Sequence, residues 1–511
     1  MQIARRILAA VVATGSVLAL AACSSVASGA GDASADGGGS LVVAQVTEPE
    51  NAPDPIIDGS LAGYNYYYNI FDRLVMLDAD GTLQPQLATD WEPNEDFTQW
   101  TFTLRQGVTF HDGSDLTAED VVFTYQTILD SPDSAILEYM RVLEGVRASD
   151  DGTQVIFDLN APFSPWPSIT TTAHIVPKAV YEALGSEGFA EAPVGSGPYE
   201  FVSRTRGVDY VIQRNDDYWG EKPSIERVTF QTIADEDARL NGVLSGSVDV
   251  ALISPNQVAG IENDSSVELA SRVSNGVTFL GVNTQAGALT DVRVRQAIVH
   301  AIDRESIVEN VLSGRGEATS QVVARTVTGF DDAVGVASYD PELSRTLLAE
   351  AGYAGEPIAL EYATDGRIPL STEVAQAVQG FLEAVGITVQ MSGMDQASLS
   401  TRIYGTQDMK GLFLNTWAPS TMDGDMPVTN MFAGGANDYT ESAAAADLVA
   451  QQRTVGGDER IGVFGQLANL NIEQGQLIPL YSAETVYAVN PDLTWTPRAD
   501  GLFTFDATSF S

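Results

Sequence analysis

Leu87 to Tyr125 reads LATDWEPNEDFTQWTFTLRQGVTFHDGSDLTAEDVVFTY, a strand, a turn and a helix in succession. Thr101, Thr103 and Arg105 alternate with Phe102 and Leu104, and Val108 follows less regularly. That period of two marks a half-buried strand. Asp112-Gly113 is a turn signal. Thr117 with Asp120 three residues on has the form of a capping box, and Val121, Val122, Tyr125 and Ile128 supply a helix stripe. Nothing in the stretch is a catalytic constellation.

Outward from it, the pattern alternates strands and helices. Residues 41–46 read as a first strand and 51–55 as a loop. Tyr64, Tyr66, Tyr67 and Tyr68 open a helix that runs on through Ile70 and Phe71 to Leu74. Tyr64 and Tyr66 are candidate ligand contacts; the simpler reading is core packing with the hydroxyls at the rim. A hairpin is expected over 75–83, around Asp78 to Gly81. Residues 192–199, APVGSGPY, form a Gly/Pro connector whose glycines lack phosphate-loop spacing. Asp235 caps a short helix, and 246–250 reads as a turn and strand. Residues 276–283 are a strand. Val294, Ala297, Ile298, Ala301 and Ile302 make a helical stripe, with Arg293, Arg295 and Asp303 expected in local pairs. Asp340-Pro341 starts another helix that Gly352 stops, and Val374 to Val385 marks one more, followed by a strand over 387–391. Residues 477–481 form a strand, and 495–503 close the chain. Such alternation indicates an α/β fold.

The amino terminus reads as a targeting signal. Arg5 and Arg6 precede an apolar run over 7–22 that is short for a membrane span. It ends Leu20-Ala21-Ala22-Cys23, which resembles a bacterial lipobox, and Cys23 is the chain's single cysteine. The implied chemistry is cleavage before Cys23 and lipid on its thiol; the alternative is an ordinary signal peptide with a chance cysteine. Residues 24–40 are a Ser/Gly/Ala/Asp tether that cannot bury enough apolar surface to order itself. The body after it must stand on its core without disulfides.

From 41 onward the chain is too long for one simple core, so two or three lobes are expected. The formal net charge is −43, from 26 basic and 69 acidic residues. Nucleic acid and anionic membrane surfaces are therefore poor partners. The three histidines, His111, His174 and His300, show no zinc-ligand spacing, and no Gly-x-Ser-x-Gly elbow is present. No cofactor or metal is indicated. A carboxylate-pair hydrolase, anchored by lipid, stays open as an alternative because acidic residues are abundant.

Three blocks of the opening stretch, LATDW, FTLRQGVTFHDG and LTAEDVVFTY, resemble in order and spacing the signature of extracytoplasmic solute-binding proteins of family 5, the peptide/nickel type serving ABC importers. PVGSGPY, NDDYW (215–219), VRQAIVHAIDR (294–304) and IPLY (478–481) extend the resemblance over the whole body. It implies a periplasmic-binding-protein-like α/β fold with two α/β lobes that clamp the ligand, an extra inserted lobe and a hinge. Lobe I would comprise 41–71, 195–282 and 479–511, lobe II 72–194 and lobe III 283–478. The ligand would lie between lobes I and III. A short peptide comes first, then an oligosaccharide or a metal chelate. The partners implied are an ABC permease with its ATPase and, through Cys23, the extracytoplasmic face of the membrane; the receptor itself would be a monomer.

Peptide-binding members place an aspartate three residues after a tryptophan to meet the ligand's ammonium. Here Trp417 is followed at that distance by Ser420, with Asp423 and Asp425 as displaced substitutes. Trp417 itself is a candidate stacking face. Arg367, Arg402 and Arg498 are the candidates for a ligand carboxylate, each with a structural salt bridge as the competing reading.

Overall fold

The alternation at 101–105 becomes the strand Gln99–Leu104, with Trp100, Phe102 and Leu104 buried. The capping box forms as read: the backbone N–H of Thr117 donates to Asp120 Oδ2 at 2.9 Å, and the helix Ala118–Asp130 follows. Strand and helix pack in a four-stranded antiparallel sheet, in the order Ala88–Pro93, Gln99–Leu104, Gln154–Leu159, Leu143–Ala148. This computed structural model describes residues 39–49, 53–366 and 368–510. The signal, Cys23, most of the tether and Arg367 lie outside the described residues.

A twelve-stranded mixed sheet is the frame. Its path runs Val389–Met394, Ile358–Ala363, Leu412–Trp417, Val277–Val282, Leu477–Val489, Val250–Ile253, Ser40–Gln45, Arg227–Thr232, Asp209–Arg214, Tyr199–Thr205. The strand Leu477–Val489 is its spine. Leu477 to Tyr481 pair with Val277–Val282, whereas Glu484 to Val489 pair with Glu268–Val273 and Val486 to Val489 with Val250–Ile253. One strand thus belongs to both halves of the sheet. The apolar core follows suit. One cluster gathers the four-stranded sheet, the tyrosine helix and Tyr487 to Phe505; another is built on 280–481 around Ile298, Leu360 and Val378. The described residues nevertheless pack as one compact unit.

Several expectations shift in detail. The tyrosine helix spans Leu61–Ile70, so Leu74 lies beyond it. Its end is fixed by the Gly/Pro connector: Gly197 N–H donates to the Ile70 carbonyl at 2.8 Å. A Cβ on Gly195 would sit 2.0 Å from that carbonyl oxygen, so only glycine fits. The stripe over 294–302 falls on the helix Val292–Ala301, with Ile302 at its C-cap, and a second helix, Arg304–Asn310, follows with Asp303 as its N-cap. Arg293 does pair locally with Asp291, but Arg295 instead donates to the carbonyls of Leu289 and Gln474, both at 2.8 Å. The strand expected over 477–481 continues to Val489.

Candidate ligand cleft

Along the spine strand, Ala483, Glu484 and Thr485 are half-exposed between buried flanks. They lie in a cleft of about 770 Å³, where the spine strand's pairing passes from Gly316–Ala318 to Val250–Ile253. That volume falls within the roughly 300–1,000 Å³ of small-solute sites. One wall comes from 252–256 with Glu236 and Arg239; the other comes from Thr278, Leu312, Arg315, Thr416, Thr364, Gly366 and 368–373.

Each wall is held by its own chemistry. Ser254 is the N-cap of the helix Pro255–Ile261, in a capping box with Gln257, which turns Ser254 and Asn256 toward the cleft. Arg239 is buried and donates to the carbonyls of Leu252, Ile233 and Ala234, each at 2.9 Å, so its guanidinium stitches the wall together. Opposite, Leu370 adopts a left-handed φ of 56° ahead of the helix Ser371–Ala384, and Ser371 Oγ donates to the Ala363 carbonyl at 2.5 Å. Burial pushes the Tyr481 phenol up to about 12, so it stays a neutral donor. Arg315 lies 3.5 Å from Glu484 and 3.8 Å from Glu262, a cation already balanced by carboxylates.

The described lining is therefore a mixture of aliphatic groups, hydroxyls and one amide. Its charged groups are Glu236, Glu373, Glu484, Arg239 and Arg315. It contains one aromatic residue, Tyr481, and no histidine, cysteine or methionine. Among the described residues, no group of three His, Cys, Asp or Glu is placed to hold a metal ion. His174 is enclosed by Tyr64, Tyr67, Tyr68 and Phe71, His111 hydrogen-bonds the connector at Gly195 and Gly197, and His300 contacts Ser338.

The nominated residues that are described are not among this lining. Tyr64 and Tyr66 are in the core; Tyr66 stacks on Tyr210 at 3.9 Å between ring centres. Trp417 ends a cleft-wall strand, but alternation turns Thr416 to the cleft and packs Trp417 against an apolar cluster. Ser420 is half-buried in the following turn. Asp423 is fully engaged by Arg460, through two bonds of 2.6 and 2.7 Å, and Asp425 by Arg453 at 2.6 Å. Arg402 pairs with Glu361 and Asp408, and Arg498 with Asp500. Of the nominated residues that are described, only Asp423 and Asp425 touch, the Asp425 N–H donating to Asp423 Oδ1 at 2.8 Å. The lining residues escaped sequence reading because serine, threonine and small aliphatics carry no motif; the interrupted hydrophobicity after IPLY was the available signal.

The family model described as bacterial extracellular solute-binding proteins, family 5 Middle, matches residues 82–439. The nickel-binding periplasmic protein of Escherichia coli is 25% identical over 65% of this chain and 67% of its own length. The probable D,D-dipeptide-binding periplasmic protein DdpA of the same organism is 24% identical over 92% of this chain and 94% of its own. The ABC transporter substrate binding protein CtaP of Listeria monocytogenes superposes with a TM-score of 0.84 at 23% identity, covering 93% of this chain and 100% of CtaP.

Proposed function

The chain belongs to the bacterial extracellular solute-binding proteins of family 5, and from that premise we propose that it captures a short peptide in the cleft at Ala483–Thr485 and hands it to an ABC permease. The observation that carries the reading is the position of the cleft: it opens where one continuous strand passes from one half of the sheet to the other. Two bodies joined by such a strand can pivot, and a ligand that touches both favours the closed arrangement through its differential affinity. In this reading the bodies are lobe I (41–71, 195–282, 479–511) and lobe III (283–478), with 72–194 as the inserted lobe. Cys23 carries the lipid that keeps a monomeric receptor on the outer face of the membrane.

The peptide assignment is supported by the lining. Hydroxyls and Asn256 offer donors and acceptors for main-chain amides, and the aliphatic wall accepts side chains. A sugar would want more than one aromatic face, and a metal held directly by the protein would want imidazole or thiolate, which the described lining does not supply. The test is a thermal-shift screen of the chain from Ser24 onward against short peptides, oligosaccharides and metal chelates. A ligand that binds only the folded state at a hundred times its Kd adds about 2.7 kcal/mol of stability. Thr416 is exposed and lines the cleft, so Thr416→Trp should fill the site and abolish the shift while leaving the ligand-free melting temperature in place. A peptide shift that survives Thr416→Trp would place the site elsewhere; a shift from sugars alone would overturn the peptide assignment.

A further inference from the structure

Asp423 has a partner beyond its arginine, across a seam to the body of the four-stranded sheet. The helix Ala443–Gln452 ends at Arg453, and its last carbonyls, like those of any helix, lack partners within the helix. Ser164 supplies them from the body of the four-stranded sheet: its N–H donates to the Arg453 carbonyl at 2.8 Å and its Oγ to the Gln452 carbonyl at 3.1 Å. One turn on, Ser168 Oγ donates to Asp423 Oδ2 at 3.4 Å. The Arg453 guanidinium lies 5.2 Å from the centre of the Phe163 ring while its N–H groups hold Asp425.

The two sides of this seam belong to different cores. Phe163, Trp166 and Ile169 pack with the tyrosine helix, whereas Val449 and Phe464 pack with Val428 and Phe432. Parting the sides breaks three hydrogen bonds and a cation–π contact, and it draws Leu77 and the half-buried Leu83, from the hairpin 75–85, away from the cluster around Val428 and Phe432. The seam also lies away from the cleft, none of whose lining residues it includes. On the 423–460 side every charge keeps its own partner when Ser164 and Ser168 leave, because Arg460 and Arg453 remain on Asp423 and Asp425.

We propose that the Ser164–Ser168 seam is a closure latch: the inserted lobe, which shares its apolar core with lobe I, meets lobe III at this seam when the two bodies close over the cleft, and the seam holds them closed without touching the ligand. The seam rests on the receptor reading for its purpose, but its opening is measurable without any ligand. Residue-resolved hydrogen exchange on the ligand-free protein follows the Ser164 amide, whose acceptor lies across the seam, against amides of Val277–Val282 and Gln99–Leu104, which report deeper opening. The expected result is exchange at Ser164 at least tenfold faster than in either strand. In the Ser164→Ala/Ser168→Ala double variant, which removes two of the three bonds, exchange at Ser164 should rise roughly a further tenfold with both strands unchanged. Exchange at Ser164 as slow as in the strands, or a variant that speeds all three together, would show a fixed structural junction and overturn the latch. A protein that opens at the seam yet shifts with no solute in the thermal screen would instead overturn the receptor reading alone.

Discussion

His111, the histidine of the opening stretch, shows how one side chain ties that stretch to the connector. Its Nδ1 accepts from the Gly195 N–H at 3.2 Å and its Nε2 faces the Gly197 carbonyl at 3.1 Å. Only the neutral ring with its proton on Nε2 satisfies both, since a proton on Nδ1 would meet the Gly195 N–H. Burial lowers its pKa from 6.5 to about 4. Above pH 6.5 the ring is neutral folded or unfolded, and its stabilising bonds are fully present. As pH falls from 6.5 toward 4, the unfolded chain takes up a proton that the folded one refuses. Stability then drops by up to about 1.4 kcal/mol per pH unit. Asp72, pushed up to about 6 by burial, acts in the opposite direction. Comparing wild type with His111→Asn cancels Asp72: urea midpoints from neutral pH down to about pH 5 should converge, as only wild type loses this contribution. Parallel curves would show that His111 does not titrate differently on folding. The Asp423–Arg460 pair gives a second test at this scale. Arg460→Ala leaves a buried carboxylate unpaired and should cost about 3–5 kcal/mol, whereas Asp423→Leu with Arg460→Met should regain much of it. If the double variant refolds and still responds to the peptide that shifts wild type, Asp423 is framework; loss of that response would make it a ligand group.

Secondary-structure elements were legible where local rules act alone. The capping box at Thr117, the N-caps at Asp235 and Asp340 and the stop at Gly352 each follow from a side chain or a φ within a few residues. Legibility failed where a distant contact decides. Helical propensity carries past Ile70, but Gly197 takes the Ile70 carbonyl from across the fold and ends the helix there. The spine strand looked like five residues because Ala483, Glu484 and Thr485 break the apolar run, and they break it because they line the cleft. Arg402 and Arg498 are plausible ligand groups from residue type, and Trp417 and Asp423 from the family resemblance; what commits them to other partners is pairing at distances the sequence does not display. The connector offers the sharpest check at this scale. With the Ile70 oxygen 2.0 Å from a Cβ at Gly195, and its backbone in the way, Gly195→Ala forces the helix end and connector apart. Overpacking of this kind costs about 1–3 kcal/mol. Gly107 has open space around it, and alanine there meets only the strain of a φ of 77°. Urea unfolding of the two variants should rank Gly195→Ala as the more damaging; the reverse order would mean that the connector yields readily and does not fix the helix end.

At the scale of the whole molecule, charge is the unbalanced quantity. With 69 acidic and 26 basic residues, pairing every cation still leaves an excess of 43 acidic groups in the chain. The arginines are also committed: Arg239, Arg295 and Arg304 are buried against backbone carbonyls, and Arg460 and Arg498 in internal pairs. They do little to quiet the surface. Self-repulsion of that kind disfavours the compact state, and it would also separate the two bodies flanking the cleft. Salt acts on both terms in opposite senses. It shortens the screening length from about 10 Å at 0.1 M to about 3 Å at 1 M, which relieves repulsion, while it weakens exposed ion pairs worth about 0–1 kcal/mol each. Pairs such as Arg141–Glu138 and Arg345–Glu342 are exposed and local, so their loss is small. Repulsion should win, and the melting temperature should climb by several degrees between low-salt buffer and about 0.5 M sodium chloride, chloride being chosen because sulfate would add surface exclusion of its own. A melting temperature that falls with chloride would mean that the ion pairs, not the excess charge, govern the stability of the body.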